Sequence, residues 1–199
     1  RLHCRQLREQ RGLFQGLKQL RLKNWKPLPI DPASIDAVVL THAHIDHTGY
    51  LPLLVKNGFS GKVYCSEATQ ALCEILLPDS AYLQEEEARY ANMRGYSKHN
   101  PALPLYTQQD AERALELLQP VRFGEEVEIT EGVHIRLSPA GHILGAAMVM
   151  LKAEGKSILF SGDIGRPNDP LMLPPAIVRQ ADYLVLESTY GDRLHNKQD

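Results

Sequence analysis

At 199 residues with 43% hydrophobic content, the chain is long enough for one ordinary domain with a real core. Lysine plus arginine (22) nearly balance aspartate plus glutamate (24), and the formal net charge of −2 excludes a highly charged disordered tail and a globally basic nucleic-acid binder. No apolar run approaches the roughly eighteen residues of a membrane span, no secretion signal opens the chain, and Cys4, Cys65 and Cys73 form neither a CxxC pair nor a disulfide framework, so a soluble, cytoplasmic setting is expected.

The balance hides an asymmetry, because residues 1–26 carry eight basic residues against Glu9, a segment of +7 that leaves −9 for the remainder. Such an arm can neutralise phosphates or simply face water. After Pro27, Pro29 and Pro32 short β-branched runs alternate with helical periodicity, the rhythm of an α/β or α+β domain. Residues 36–40 read as a buried strand, 49–57 as a short helix and 62–65 as a second strand. Ser66 then caps a helix with Ala68, Ala71, Leu72 and Ile75 on its apolar face and Pro78 at its end. The polar stretch 79–100 reads as an exposed helical excursion with Glu85 and Arg89 spaced for an i, i+4 pair. Thr107 to Asp110 forms a capping-box pattern before a helix with Ala111, Ala114, Leu115 and Leu118 on one face, stopped by Pro120. Strands follow at 126–130, 133–137, 147–152, 157–160 and 182–186, with a turn at Glu154-Gly155.

Chemistry concentrates in Thr41-His42-Ala43-His44-Ile45-Asp46-His47, directly after the strand ending at Leu40. Three imidazoles and a carboxylate within six residues are ligand types that suit zinc or another borderline first-row metal. Four ligands on one short loop do not all serve one tetrahedral ion easily, so two metals are plausible and further ligands must come from elsewhere. His142 in Ala140-Gly141-His142 and Asp163 in Ser161-Gly162-Asp163 each follow a strand-like run, as does Glu187 after Tyr183 to Leu186. All four clusters sit at strand ends, where α/β architectures gather their active groups. His3, His99 and His134 lack such company and read as surface or strand histidines; His195, eight residues after Glu187, is adjacent to the site.

In this order, HxHxDH at 42–47, AGHILGA around His142, SGDIG around Asp163 and LESTYGDRLH around Glu187 resemble the metallo-β-lactamase-fold hydrolases. More narrowly they are similar to the β-CASP branch of RNA-processing nucleases, which includes the cleavage and polyadenylation endonuclease subunit. Gly12-Leu13-Phe14-Gln15-Gly16 resembles a loop of that branch, and Leu51-Pro52 continues its helix. The resemblance implies an αββα sandwich of two mixed sheets covered by helices. It spans a partial domain at 12–199 behind an atypical basic segment at 1–11. It also implies that His42, His44 and His142 bind a first zinc, that Asp46 and His47 bind a second, and that Asp163 bridges them. A hydroxide held between two ions would then attack an RNA phosphodiester. Asp46 and Glu187 are the candidate catalytic carboxylates, Glu187 as the support of a histidine from a later cap domain rather than as the base.

Residues 1–11 do not resemble the strand pair that opens the branch, and the chain ends before the cap and two later histidines. A truncated sandwich, an incomplete second zinc site and low activity are therefore expected. RNA is the expected partner, alongside a second copy of the chain or a processing complex, with no membrane. Two other readings stand beside this one: a metallo-β-lactamase-fold hydrolase of small esters, thioesters or phosphodiesters, and a non-catalytic fragment or interaction protein.

Overall fold

The computed structural model describes residues 13–14, 19, 22–189 and 191–192. The atypical segment at 1–11, most of the basic arm and His195 lie outside the described residues. Eight strands and four helices follow two 3-10 turns at Leu22–Trp25 and Pro32–Ser34 among the described residues. Asn24 clamps the backbone of Phe14, accepting from its amide at 2.9 Å and donating to its carbonyl at 3.0 Å, while Leu13 is buried in the core.

Strands β1 (Ala37–Val39), β2 (Lys62–Cys65) and β3 (Leu118–Pro120) form a parallel sheet in that order. The second sheet runs β4 (Glu126–Thr130), β5 (Val133–Pro139), β6 (Ala147–Ala153), β7 (Lys156–Phe160) and β8 (Tyr183–Val185), antiparallel except for the parallel pair β7 and β8. Between β6 and β7, Glu154 and Gly155 both take positive φ, 50° and 70°, which matches the right-handed twist of a two-residue hairpin.

Side-chain alternation along the strands separates three cores. Ala37, Val39 and Tyr64 of the first sheet pack against Ile135, Leu137, Val149, Leu151 and Phe160 of the second. Val38, Val63, Cys65 and Leu118 point the other way, into the helices α1 (Ile45–Thr48), α2 (Leu51–Lys56), α3 (Glu67–Arg94) and α4 (Gln108–Leu115). On the outer face of the second sheet, Met148 and Leu159 meet Ala176, Val178 and Ala181. The chain is thus a two-sheet sandwich with helices over the parallel sheet.

Helix α3 departs from its sequence reading in three ways. It continues through Pro78 to Arg94, 28 residues in all, and ends on Gly95 in the left-handed conformation. Its buried stripe is Thr69, Cys73, Leu77, Ala81, Ala88 and Ala91, while Ala71 and Ile75 face solvent. Packing along that stripe on both sides of Pro78 outweighs the one backbone bond that proline removes. Finally, Arg89 pairs with Glu86 rather than Glu85, whose carboxylate instead accepts from the Gln108 side chain at 2.8 Å. Ser66 does cap the helix, accepting from the Thr69 amide at 3.1 Å.

The capping box at Thr107 and Asp110 forms as expected, but α4 stops at Leu115 and Leu118 belongs to β3. Parallel pairing with β2 pulls that residue out of the helical pattern.

Candidate metal centre

Antiparallel pairing brings the end of β5, the start of β6 and the end of β7 to one edge, and the parallel β8 ends there too. The Ala147 amide donates to the Thr41 carbonyl at 2.8 Å and ties that edge to the loop leaving β1. Residues distant in sequence therefore converge on the HxHxDH loop.

That loop is rigid. The Leu40 amide donates to the Tyr64 carbonyl at 2.8 Å. The Thr48 hydroxyl spans the carbonyls of Ala43 (3.1 Å) and His44 (3.0 Å), and the His47 and Thr48 amides both donate to the His44 carbonyl at 2.9 Å. His42 and His44 therefore leave the loop before α1, whereas Asp46 and His47 leave its first turn.

His142 sits in the β5–β6 loop, closed by the Ala140 amide donating to Ala146 and the Ala146 amide donating to Ile143. The start of α3 anchors it, because the Ser66 and Thr69 hydroxyls donate to the Gly145 carbonyl at 2.7 and 3.1 Å. Gly145 has φ +79°, and a Cβ there would lie 2.5 Å from the Thr69 nitrogen, so the position demands glycine. Asp163 follows β7 through Gly162, whose φ is +55° and whose Cβ would meet Thr41 Cβ at 2.8 Å. The Glu187 carboxylate accepts from the Ile164 amide just beyond Asp163, and the Glu187 amide donates to the Ser161 hydroxyl at 3.0 Å.

Four donor atoms meet at the centre: His42, His44, His142 and Asp163 each offer one ligand atom, all within 4.8 Å of one another. His42 Nε2 lies 3.1 Å from His44 Nδ1, and His142 Nε2 lies 3.3 Å from the same atom. Asp163 Oδ2 is 3.7 Å from His42 Nε2 and 3.6 Å from His142 Nε2. Zinc bonds of about 2.0–2.2 Å in a tetrahedral site set donor–donor edges of about 3.3–3.6 Å, and the four separations above, 3.1 to 3.7 Å, bracket that range. The other oxygen of Asp163 turns away, with Oδ1 3.4 Å from His47 Nε2, which in turn lies 3.6 Å from Asp46 Oδ2. Asp163 therefore faces both groups, and Asp46, with its side chain 54% exposed, is the most open of these residues.

Burial, reinforced by the imidazoles of His47, His44 and His142, pushes the His42 pKa down to about 2 and keeps the ring neutral, the form that binds a metal. Thr41 Oγ1 lies 3.1 Å from His42 Nδ1, and with the ring proton held there the Nε2 lone pair points into the cluster. The supporting roles of Thr41, Ser66, Thr69 and Ser161 escape a reading of the sequence; only the capping pattern at Ser66 gave any signal. His99 is exposed and His134 lies in β5 opposite Glu128, both away from the centre as expected.

Residues 16–192 match the metallo-beta-lactamase superfamily. A ribonuclease of Thermus thermophilus is 36% identical over 92% of this chain and 38% of its own length. Cleavage and polyadenylation specificity factor 73 of Drosophila melanogaster is 34% identical over 94% of this chain and 26% of its own. An RNase J-like protein of Methanocaldococcus jannaschii is 32% identical over 84% of this chain and 35% of its own. The chain thus spans less than two-fifths of the length of each.

Proposed function

The chain belongs to the metallo-beta-lactamase superfamily, and from that membership we propose that it is the metal-binding catalytic part of a zinc-dependent hydrolase that cleaves RNA phosphodiester bonds. The observation that carries this reading is the four-atom group of His42, His44, His142 and Asp163, all within 4.8 Å of one another, with the second oxygen of Asp163 turned to His47. In this reading His42, His44 and His142 hold a first zinc, Asp46 and His47 a second, and Asp163 serves both. The bound metal supplies charge neutralisation at the phosphate and acidifies water into a nucleophile at neutral pH. The protein's own groups arrange the rest. Thr41 keeps the His42 proton on Nδ1, and Glu187, through the Ile164 amide, fixes the segment that carries Asp163. Asp46 holds its exposed carboxylate beside His47, on the open side of the group. RNA is favoured over other substrates because the relatives above include one named a ribonuclease and one named RNase J-like.

The test is zinc content by elemental analysis together with cleavage of labelled RNA by the full-length protein. Stoichiometric zinc and cleavage abolished by EDTA are expected; little zinc and no EDTA-sensitive cleavage would refute the reading.

One observation supports a second reading. A cavity of about 360 Å³ lies between the sheets, lined by Ile30, Val39, Val149 and Phe160 and reaching His47 and Asp163. An apolar pocket beside a metal centre suits the acyl part of a small ester or thioester. Turnover of such esters without cleavage of RNA would favour it. No helix among the described residues is long and apolar enough to cross a membrane, and Cys65 and Cys73 are buried free thiols.

A further inference from the structure

Helix α3 presents to solvent a stripe with a two-fold pattern. With about 100° between successive residues, Ile75, Asp79, Tyr82, Glu86, Arg89 and Met93 fall on the side opposite the buried Cys73, Leu77, Ala81, Ala88 and Ala91. Their spacing alternates four and three, the seam of a coiled coil. The apolar members are well exposed: Ile75 is 67% exposed and Met93 66%, with Leu83 at 58% beside them. The stripe is about 27 Å long at 1.5 Å per residue.

Its chemistry is self-complementary in one orientation only. Inverted about an axis at Gln84, Ile75 meets the partner's Met93, Asp79 meets the partner's Arg89, and Tyr82 meets the partner's Glu86. Leu83 approaches the partner's Leu83 on the axis, and Leu76 approaches the partner's Tyr90. A parallel pair would instead set Asp79, Glu86 and Arg89 each against its own copy, a row of like charges. Arg89 is already oriented, because its Nε donates to Glu86 of its own helix at 3.0 Å. Charged residues within an otherwise apolar seam weaken it but specify register and direction.

We propose that this face of α3 is the interface of an antiparallel two-fold homodimer, held by Ile75, Leu83 and Met93 and put in register by the pairing of Asp79 with Arg89 of the partner subunit. The surface is isologous, so every cross-pair occurs twice. The inference is independent of the metal chemistry.

Sedimentation of the 199-residue chain from about 1 to about 100 µM, a range within which interfaces of ordinary size associate, reads the result. A dimer is expected. Asp79→Arg and Arg89→Asp should each weaken it by about tenfold or more, since each sets like charges together twice. The double variant should recover to within about threefold of the parent, because the pair is restored with its sign reversed. Independently, Leu83→Cys in a Cys4→Ser background should form an intermolecular disulfide on oxidation. Glu67→Cys, 17 residues from the axis, should not. A monomer throughout the range, a double variant no tighter than the single ones, or no cross-link at Leu83 would overturn the proposal.

Discussion

Gly145→Ala tests how the α3 terminus holds the metal centre together. A methyl group there would sit 2.5 Å from the Thr69 nitrogen, 2.7 Å from the Ser66 hydroxyl and 2.9 Å from Ala68 Cβ. The first is backbone and the second is the helix cap, so neither yields without breaking something else. Three losses combine. An L-residue at φ +79° costs about 1 kcal/mol. Loss of the Ser66 cap costs about 1 kcal/mol. The two hydroxyl bonds to the Gly145 carbonyl are together worth about 1–2 kcal/mol. The expected destabilisation is about 3 kcal/mol, by urea unfolding with zinc chelated. Because the same loop carries His142, zinc affinity, measured by competition with a chromophoric chelator, should also fall about 10- to 100-fold. Gly155→Ala is the control: its φ is +70° but nothing lies within 4 Å of the added methyl, so it should cost about 1 kcal/mol and leave zinc affinity unchanged. Equal effects of the two substitutions, or wild-type zinc affinity in Gly145→Ala, would refute the reasoning.

Thr41→Val removes the hydroxyl beside His42 Nδ1 and should lower zinc affinity about tenfold, while Thr41→Ser retains it; chelator competition distinguishes the two. Glu187→Ala frees the Ile164 amide and should weaken zinc binding about tenfold, whereas Glu187→Gln keeps an acceptor oxygen and should lose less. Asp110→Ala breaks the capping box and the ion pairs with Lys56 and Arg113, and should cost about 2 kcal/mol in urea unfolding at neutral pH. Burial raises the Asp110 pKa, but the Thr107 amide and hydroxyl with Lys56 and Arg113 outweigh it, so the net shift is downward. A carboxyl lowered in the folded state stabilises above its unfolded pKa of about 3.9, and that contribution is lost as pH falls through the folded value. The stability gap between wild type and Asp110→Ala should therefore narrow below about pH 4; a gap constant to pH 2 would contradict the ionised cap.

Local features were legible in the sequence. The HxHxDH loop, the Ser66 cap, the Thr107 capping box and five strands of the second sheet all rest on contiguous residues whose spacing and turn chemistry carry their own explanation. The strand ends that carry His142, Asp163 and Glu187 could be named for the same reason. Their convergence could not be derived from spacing alone, because the strand order and long-range bonds such as Ala147 to Thr41 and Gly165 to Ala140 place these loops against one another. Resemblance to the β-CASP nucleases supplied the grouping, and the donor distances then supported one four-atom set with His47 beside it.

Where the sequence misled, tertiary packing decided. Pro78 and the apolar run from Ala68 to Ile75 suggest a short helix with a large-residue face. The fold instead selects small Thr69, Cys73 and Ala81 with Leu77, which allow close approach to α4 and the core, and carries the helix past the proline. Leu118 fits a helical face by period but joins a strand, since pairing beside β2 satisfies its backbone. The sequence by itself determined which residues can bind a metal and where the chain turns, because those depend on residue chemistry and local backbone. Tertiary structure decided which of those side chains lie together and which face of α3 is left for solvent, because both depend on contacts between residues far apart in the chain.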